Sequence, residues 1–314
     1  APEPPAPAPG PTRPGAANAG SWHHRLTALR GWLHRWEDSI ADPEQYWAER
    51  AKTFEWKEPF GKVMDYNFHV SKGDIFCRWF EGGVTNICYN AIDRHLETRR
   101  DDPCMIYEGN DRESTVLTWG GLHEQVCKFA NVLKAQGVQK GDRVAIYMPM
   151  VLELPIAMLA CARIGAMHSV VFGGFSAEAL AQRIVHSGSK ILVTADGVMR
   201  ATKFIELKGI ADDAMEISAA EGNAIETCIV YERNAAGMPA PVAMQAGRDT
   251  TWAGEMAKVD GNCEVEWMDA EEPLFMLYTS GSTGTPKGLK HTTGGYLLYA
   301  AMTHRYVFDY HDGD

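Results

Sequence analysis

The sequence has no long apolar run. Its best stretch, Pro155 to Ala162, is far shorter than the ~20 residues a membrane-spanning helix needs, and Arg163 ends it. No membrane partner is therefore expected. There is no CxxC pair either. The seven cysteines (Cys77, Cys88, Cys104, Cys127, Cys161, Cys228 and Cys263) are scattered and odd in number. That argues against a disulfide framework or a zinc site, and for small buried thiols in a reducing compartment. No two histidines stand at HxxxH spacing, and only His23 and His24 are adjacent, so no histidine pair offers a metal site at that spacing. Positive charge is in short supply, with 30 Lys and Arg against 41 Asp and Glu and a formal net charge of −11. That balance argues against nucleic acid or an anionic membrane surface as a main partner. A local basic patch can still hold an anionic ligand.

What remains is the profile of a globular protein: 314 residues, 45% hydrophobic and 23% charged, enough for one large domain or two ordinary ones. Residues 1–20 carry seven of the sixteen prolines, so they can build no apolar face and are expected to be a disordered extension. Residues 21–40 read as an amphipathic helix, with Trp22, Leu26, Leu29, Leu33, Trp36 and Ile40 at spacings of three and four. Its other face is basic, and no acidic residue lies between Glu3 and Glu37. Such a segment resembles an organellar transit sequence, pointing to a mitochondrial or plastid matrix. Read instead as a surface helix docked by its tryptophans, it leaves a cytoplasmic location. Residues 41–314 form the third region.

From Gly141 onward strands and helices alternate. Val144–Met148, His168–Phe172, Lys190–Thr194 and Thr227–Tyr231 read as strands. Glu153–Ile164 and a segment from Ala177 to His186, capped by Ser176, read as helices. This is an α/β pattern of βαβ units with largely parallel sheets and flanking helices. Ligands on such sheets bind beyond the carboxyl ends of the strands. Residues 233–262 read as an irregular surface excursion.

The most informative stretch is Leu274 to Gly288, LFMLYTSGSTGTPKG. An apolar strand leads into Thr279, Ser280, Gly281, Ser282, Thr283, Gly284 and Thr285, then Pro286, Lys287 and Gly288. Gly281 and Gly284 permit turns with positive φ and close approach of backbone to ligand. Successive N–H groups in such turns converge on an anion. The hydroxyls add donors, Pro286 stiffens the exit, and Lys287 supplies a point charge. Together they suit a polyphosphate. The order is not that of a Walker A loop, which requires GxxxxGK[ST].

This loop resembles the phosphate-binding motif of the acyl-adenylating enzymes. Tyr46-Trp47, Phe54-Glu55-Trp56, Trp79 to Gly83, Asn86, Asn90 to His95, Phe172 to Ser176 and Tyr306 to His311 narrow the resemblance to AMP-forming acetyl-CoA synthetases, from about residue 40 to 314. The resemblance implies that ATP and acetate give acetyl-AMP and pyrophosphate, and that CoA then takes the acetyl group. Propionyl-CoA and other short-chain synthetases share much of the pattern. Thr279 to Lys287 would hold the ATP phosphates. Phe172, Gly173 and Gly174 would lie against the CoA nucleotide. In the family an RxxR pair contacts CoA phosphate; here Arg200-Ala201-Thr202-Lys203 occupies that place, and the forked geometry of the second arginine is lost. Asp93 and His95 read as structural. The resemblance also makes this chain an N-terminal half, with an incomplete sheet that leaves apolar surface exposed. It expects the acyl pocket, the magnesium ligands and every catalytic residue to lie outside these residues, so the chain alone is expected to be inactive. A non-catalytic nucleotide- or CoA-binding module is the alternative; oligomeric state is not legible.

Overall fold

The computed structural model describes residue 31 and residues 33–109, 113–200, 203–233, 241–279 and 286–311. The chain divides into two compact units, Ala1–Thr53 and Phe54–Asp314. In the first, residues 33–41 are helical, which is the C-terminal part of the predicted helix; residues 1–20 lie outside the described residues. Helix α1 (Pro43–Ala51) follows. Asp42 caps it by accepting from the Gln45 N–H at 2.9 Å, and Pro43 fills the first turn, where a missing N–H is harmless. The Arg50 guanidinium lies 3.4 Å from the Tyr46 ring centroid, one turn back.

The second unit opens with β1 (Lys62–Asn67), β2 (Phe76–Glu81), β3 (Val84–Thr85), α2 (Ile87–Ala91), α3 (Leu96–Arg99), β4 (Pro103–Glu108), β5 (Ser114–Thr118) and α4 (Trp119–Ala135). Its centre is β6 (Arg143–Met148), α5 (Glu153–Arg163), β7 (Met167–Phe172), α6 (Ala177–Ser187), β8 (Ile191–Ala195), β9 (Gly197–Arg200), β10 (Lys203–Glu206), α7 (Leu207–Ala220) and β11 (Thr227–Tyr231). It closes with β12 (Asp249–Thr251), α8 (Trp252–Met256), β13 (Met268–Asp269), β14 (Pro273–Thr279), β15 (Lys287–Thr292) and α9 (Thr293–Tyr306).

Seven strands form the main sheet in the order β12-β11-β8-β6-β7-β14-β15. Every pairing is parallel except β14 with β15. The inner strands are buried on both faces, which is why they read as apolar runs without alternation. Alternate residues still serve different cores. Val144, Ile146, Val193 and Ile229 pack with α4 and α5 on one face. Ala145, Tyr147, Leu192 and Val230 pack with α6 and α7 on the other. The α/β reading therefore holds, as do the predicted strands and helices to within about a residue. Ser176 caps α6 through the Ala179 N–H, and Gly188 ends it with φ +64°.

The reading of residues 233–262 needs correction. Asp249–Thr251 adds a parallel edge strand beside β11. Trp252 opens α8 and stacks on Phe129 at 3.8 Å between ring centroids, 6% exposed. A three-residue Asp-Thr-Thr strand carries no apolar period, so only the buried tryptophan marked it. Residues 234–240 of that stretch lie outside the described residues.

Arg163, which ends the apolar run in the sequence, is itself buried. Its guanidinium makes a forked pair with Asp93, 2.8 and 2.9 Å, and donates through Nε to the Cys263 carbonyl at 2.6 Å. Burial alone would raise the Asp93 carboxyl; hydrogen bonds from His123 and Arg163 more than reverse it and hold it below the usual carboxylate range. Beside this pair, Asn86 caps α2 through the Tyr89 N–H and donates to the Ala162 and Glu266 carbonyls. Asn90 closes a reciprocal pair with the Glu55 backbone. Asn86 and Asp93 thus tie the α2 segment to α5, and Asn90 ties it to the chain at Glu55. Of the seven thiols, five are buried, Cys104 is half-buried and Cys77 is exposed.

Removing one partner of the Arg163–Asp93 pair should cost roughly 3–5 kcal/mol, because it leaves a buried charge uncompensated. Urea unfolding of Arg163→Met should show that loss, and a double replacement by apolar residues of similar volume should recover most of it. His168 is 5% exposed, and burial pushes its imidazole from 6.5 down to about 4. The unfolded chain then binds the proton first, so this contribution to stability is present above pH 6.5 and lost as pH falls toward 4. The full loss is roughly 3 kcal/mol at 1.36 kcal/mol per unit. Melting temperature against pH should fall less steeply over that window in His168→Phe.

Candidate functional site

Strands β6 and β7 are parallel neighbours, but their connections leave in opposite directions. The helix after β6 packs in one core and the helix after β7 in the other. The two chain exits diverge and open a crevice at the carboxyl ends, where α/β sheets take their ligands. A cavity of about 340 Å³ lies there. Met148, Pro149 and Met150 at the end of β6, and Phe172 and Gly173 at the end of β7, form one side. Val170, Val171, Val198 to Arg200, Tyr107 to Gly109, Leu154 and Arg233 complete the lining.

The loop after β7 is shaped by two glycines with different reasons. A Cβ on Gly173 would stand 2.9 Å from the Met148 carbonyl oxygen, a backbone atom that cannot yield. Gly174 holds φ +111°, and a Cβ there would stand 2.9 Å from Arg200 Nη2. Tyr147 fixes the loop from below. Its ring is fully buried in β6, and its hydroxyl donates to the Phe175 carbonyl at 2.8 Å and accepts from the Gly174 N–H at 3.1 Å. Arg200 leans over the loop, donating to the Gly173 carbonyl at 3.4 Å, with its guanidinium 5.8 Å from the Phe172 ring centroid. Phe172 is 59% exposed, an unusual position for a phenylalanine that no core explains.

The sequence-predicted residues fall into two groups. Phe172, Gly173 and Arg200 line the cavity, and Gly174 adjoins it. Lys203 does not line it. It is the register partner of Arg200 across the β9–β10 pair, and it is exposed. In the second group, Thr279 and Lys287 are register partners at the end of the β14–β15 pair. They close the two ends of the Gly-rich loop against each other. Ser280, Gly281, Ser282, Thr283, Gly284 and Thr285 lie outside the described residues. Because β14 runs parallel to β7, both groups emerge at the same edge of the sheet.

Tyr107, Tyr147 and Arg233 escaped the sequence reading. Arg233 had a signal, since it stands two residues beyond β11, where ligand-binding residues of such sheets belong. Tyr147 had none, because its hydroxyl is hidden inside an apolar strand. A second cavity, about 380 Å³ and almost wholly apolar, lies elsewhere against β7 and β14, with the buried His168 in its wall and the His168 Nδ1 without a hydrogen-bond partner. Among the described residues no group of three or more His, Cys, Asp or Glu is placed to hold a metal ion.

Comparison with known proteins bears on this geometry. Residues 92–314 match the family profile described as AMP-binding enzyme, and residues 33–91 match the one described as acetyl-coenzyme A synthetase N-terminus. Acetyl-coenzyme A synthetase of Desulfatibacillum aliphaticivorans is 50% identical over 89% of this chain and 42% of its own length. That of Serratia proteamaculans is 51% identical over 93% of this chain and 44% of its own. The chain therefore spans under half the length of these relatives. Among solved structures, the acetoacetyl-CoA synthetase from Streptomyces lividans superposes with a TM-score of 0.78 at 25% identity, over 88% of this chain and 41% of that one.

Tyr147→Phe should leave the fold intact and release the loop. The loss of two hydrogen bonds should cost about 1–3 kcal/mol, and amide exchange at Gly174 should accelerate while that of β6 does not.

Proposed function

Because the chain belongs to the AMP-binding enzyme family, we propose that it is part of an AMP-forming acetate–CoA ligase. The observation that carries this reading is the adjacency of two matches: the acetyl-coenzyme A synthetase N-terminal profile over residues 33–91 runs directly into the AMP-binding profile over 92–314. Relatives at 50–51% identity bear the same name. The reaction has two steps. The carboxylate of acetate attacks the α-phosphorus of ATP, and pyrophosphate leaves. The CoA thiol then attacks the carbonyl of acetyl-AMP, and AMP leaves.

The first step needs alignment and charge neutralisation more than covalent help. In this reading the loop from Thr279 to Lys287 holds the β- and γ-phosphates. The antiparallel β14–β15 pair supports the assignment by fixing both ends of the loop at the sheet edge. Magnesium accompanies the ATP, with its ligands outside this chain. The cavity beside Phe172 takes the CoA nucleotide. The exposed Phe172 ring gives a base something to stack on, and the Gly173 and Gly174 backbone lets the ligand approach closely. The acyl pocket belongs to residues beyond those of this chain, and the 314 residues alone do not turn over. The acetoacetyl-CoA synthetase of similar fold keeps a second reading open, in which the acid is another short-chain one.

Acetate-dependent exchange of labelled pyrophosphate into ATP tests the proposal, with this chain and the uninterrupted gene product side by side. Exchange with acetate in the longer protein alone is the expected result. Exchange with propionate or acetoacetate in preference to acetate moves the assignment to that acid, and exchange with no acid sinks the ligase reading. Lys287→Ala in the longer protein should lower the exchange rate about 10²-fold, the usual scale for one lost charge-stabilising donor.

A further inference from the structure

The cavity at the ends of β6 and β7 holds three charged residues: Glu108, Arg200 and Arg233. The lining thus sets two cations against one carboxylate, and Glu153 also acts electrostatically on Arg233. The two arginines come from different strand ends, yet one buried side chain joins their supports. Asp196, 5% exposed, accepts the Arg233 backbone N–H at Oδ2, 2.8 Å, and the Gly197 N–H at Oδ1, 2.7 Å. Gly197 begins the strand that ends in Arg200. Asp196 therefore sets the spacing between the two arginine-bearing segments. Across the cavity, Arg233 Nη2 donates to Tyr107 Oη at 3.4 Å, a long contact that commits little of the guanidinium. Lys203 is the register partner of Arg200 and shares its face of the hairpin, but it stands outside the lining.

We propose that Arg233, rather than Lys203, is the second cation of this site, so that Arg200 and Arg233 grip the phosphate-bearing end of a nucleotide from two sides. The proposal rests on the assignment of this cavity to the CoA nucleotide and adds the residue that completes it. Arg233 restores the forked donor geometry that a lysine at position 203 lacks. Apart from Tyr107 and Glu108, the rest of the wall is apolar or backbone, which strengthens charge-assisted hydrogen bonds there.

The test uses the whole protein and two acyl acceptors, CoA and pantetheine, which carries the thiol arm without the nucleotide. Rates of AMP formation give kcat/KM for each. Arg233→Ala should lower kcat/KM for CoA roughly 10- to 100-fold, the range expected for one lost hydrogen bond to a charged group, with pantetheine within twofold of wild type. Arg233→Lys should recover part of the loss, and Lys203→Ala should stay within about twofold on CoA. An equal fall on both acceptors would make Arg233 a structural residue and overturn the proposal. So would a loss confined to Lys203→Ala. If wild-type protein itself shows no preference for CoA over pantetheine, the cavity assignment fails first, and that outcome is visible without any variant.

Discussion

A parallel sheet buried on both faces has to send its connections to both sides, and everything functional here follows from where that change of side occurs. Between β6 and β7 the chain leaves toward opposite cores. No backbone fills the gap, and a cavity results at the carboxyl ends. Parallel pairing also obliges β7 and β14 to end at the same edge, so the loop after each strand emerges beside the other. A nucleotide site and a phosphate loop can share one edge without any special device.

The walls of the cavity show a division of labour. Buried groups set the backbone: the Tyr147 hydroxyl holds Gly174 and Phe175, and the Asp196 carboxylate holds Gly197 and Arg233. Exposed groups meet the solvent: Phe172, Met150 and Arg200. The buried pair Arg163–Asp93 does comparable work farther off, joining α5 to the segment after α2. Such pairs add little net stability over apolar residues, but they penalise every arrangement that separates them.

The sequence made the inner strands legible because burial on both faces leaves unbroken apolar runs, as in Val144–Met148 and Thr227–Tyr231. It made the phosphate loop legible because glycine, hydroxyl and lysine each have a separate reason to be there. The edge strand Asp249–Thr251 was not legible, since three polar residues paired on one side carry no period. Lys203 looked equivalent to a family arginine by spacing alone; the structure pairs it with Arg200 across the β9–β10 ladder, exposed and outside the cavity lining. Arg233 meets Asp196 and Tyr107 across 37 and 126 positions of the chain, contacts that no local pattern encodes.

The distribution of thiols has a practical side. Burial pushes Cys88, Cys161 and Cys228 up to about 12, so at neutral pH they hold almost no thiolate. Cys77 stands exposed on the β1–β2 hairpin, opposite Tyr66. An electrophilic dye added to the folded protein would meet that sulfur well before the buried ones. With Cys104 only half-buried, Cys77 is the first rather than the sole attachment point for a spectroscopic reporter, on a hairpin that contributes no residue to the nucleotide cavity.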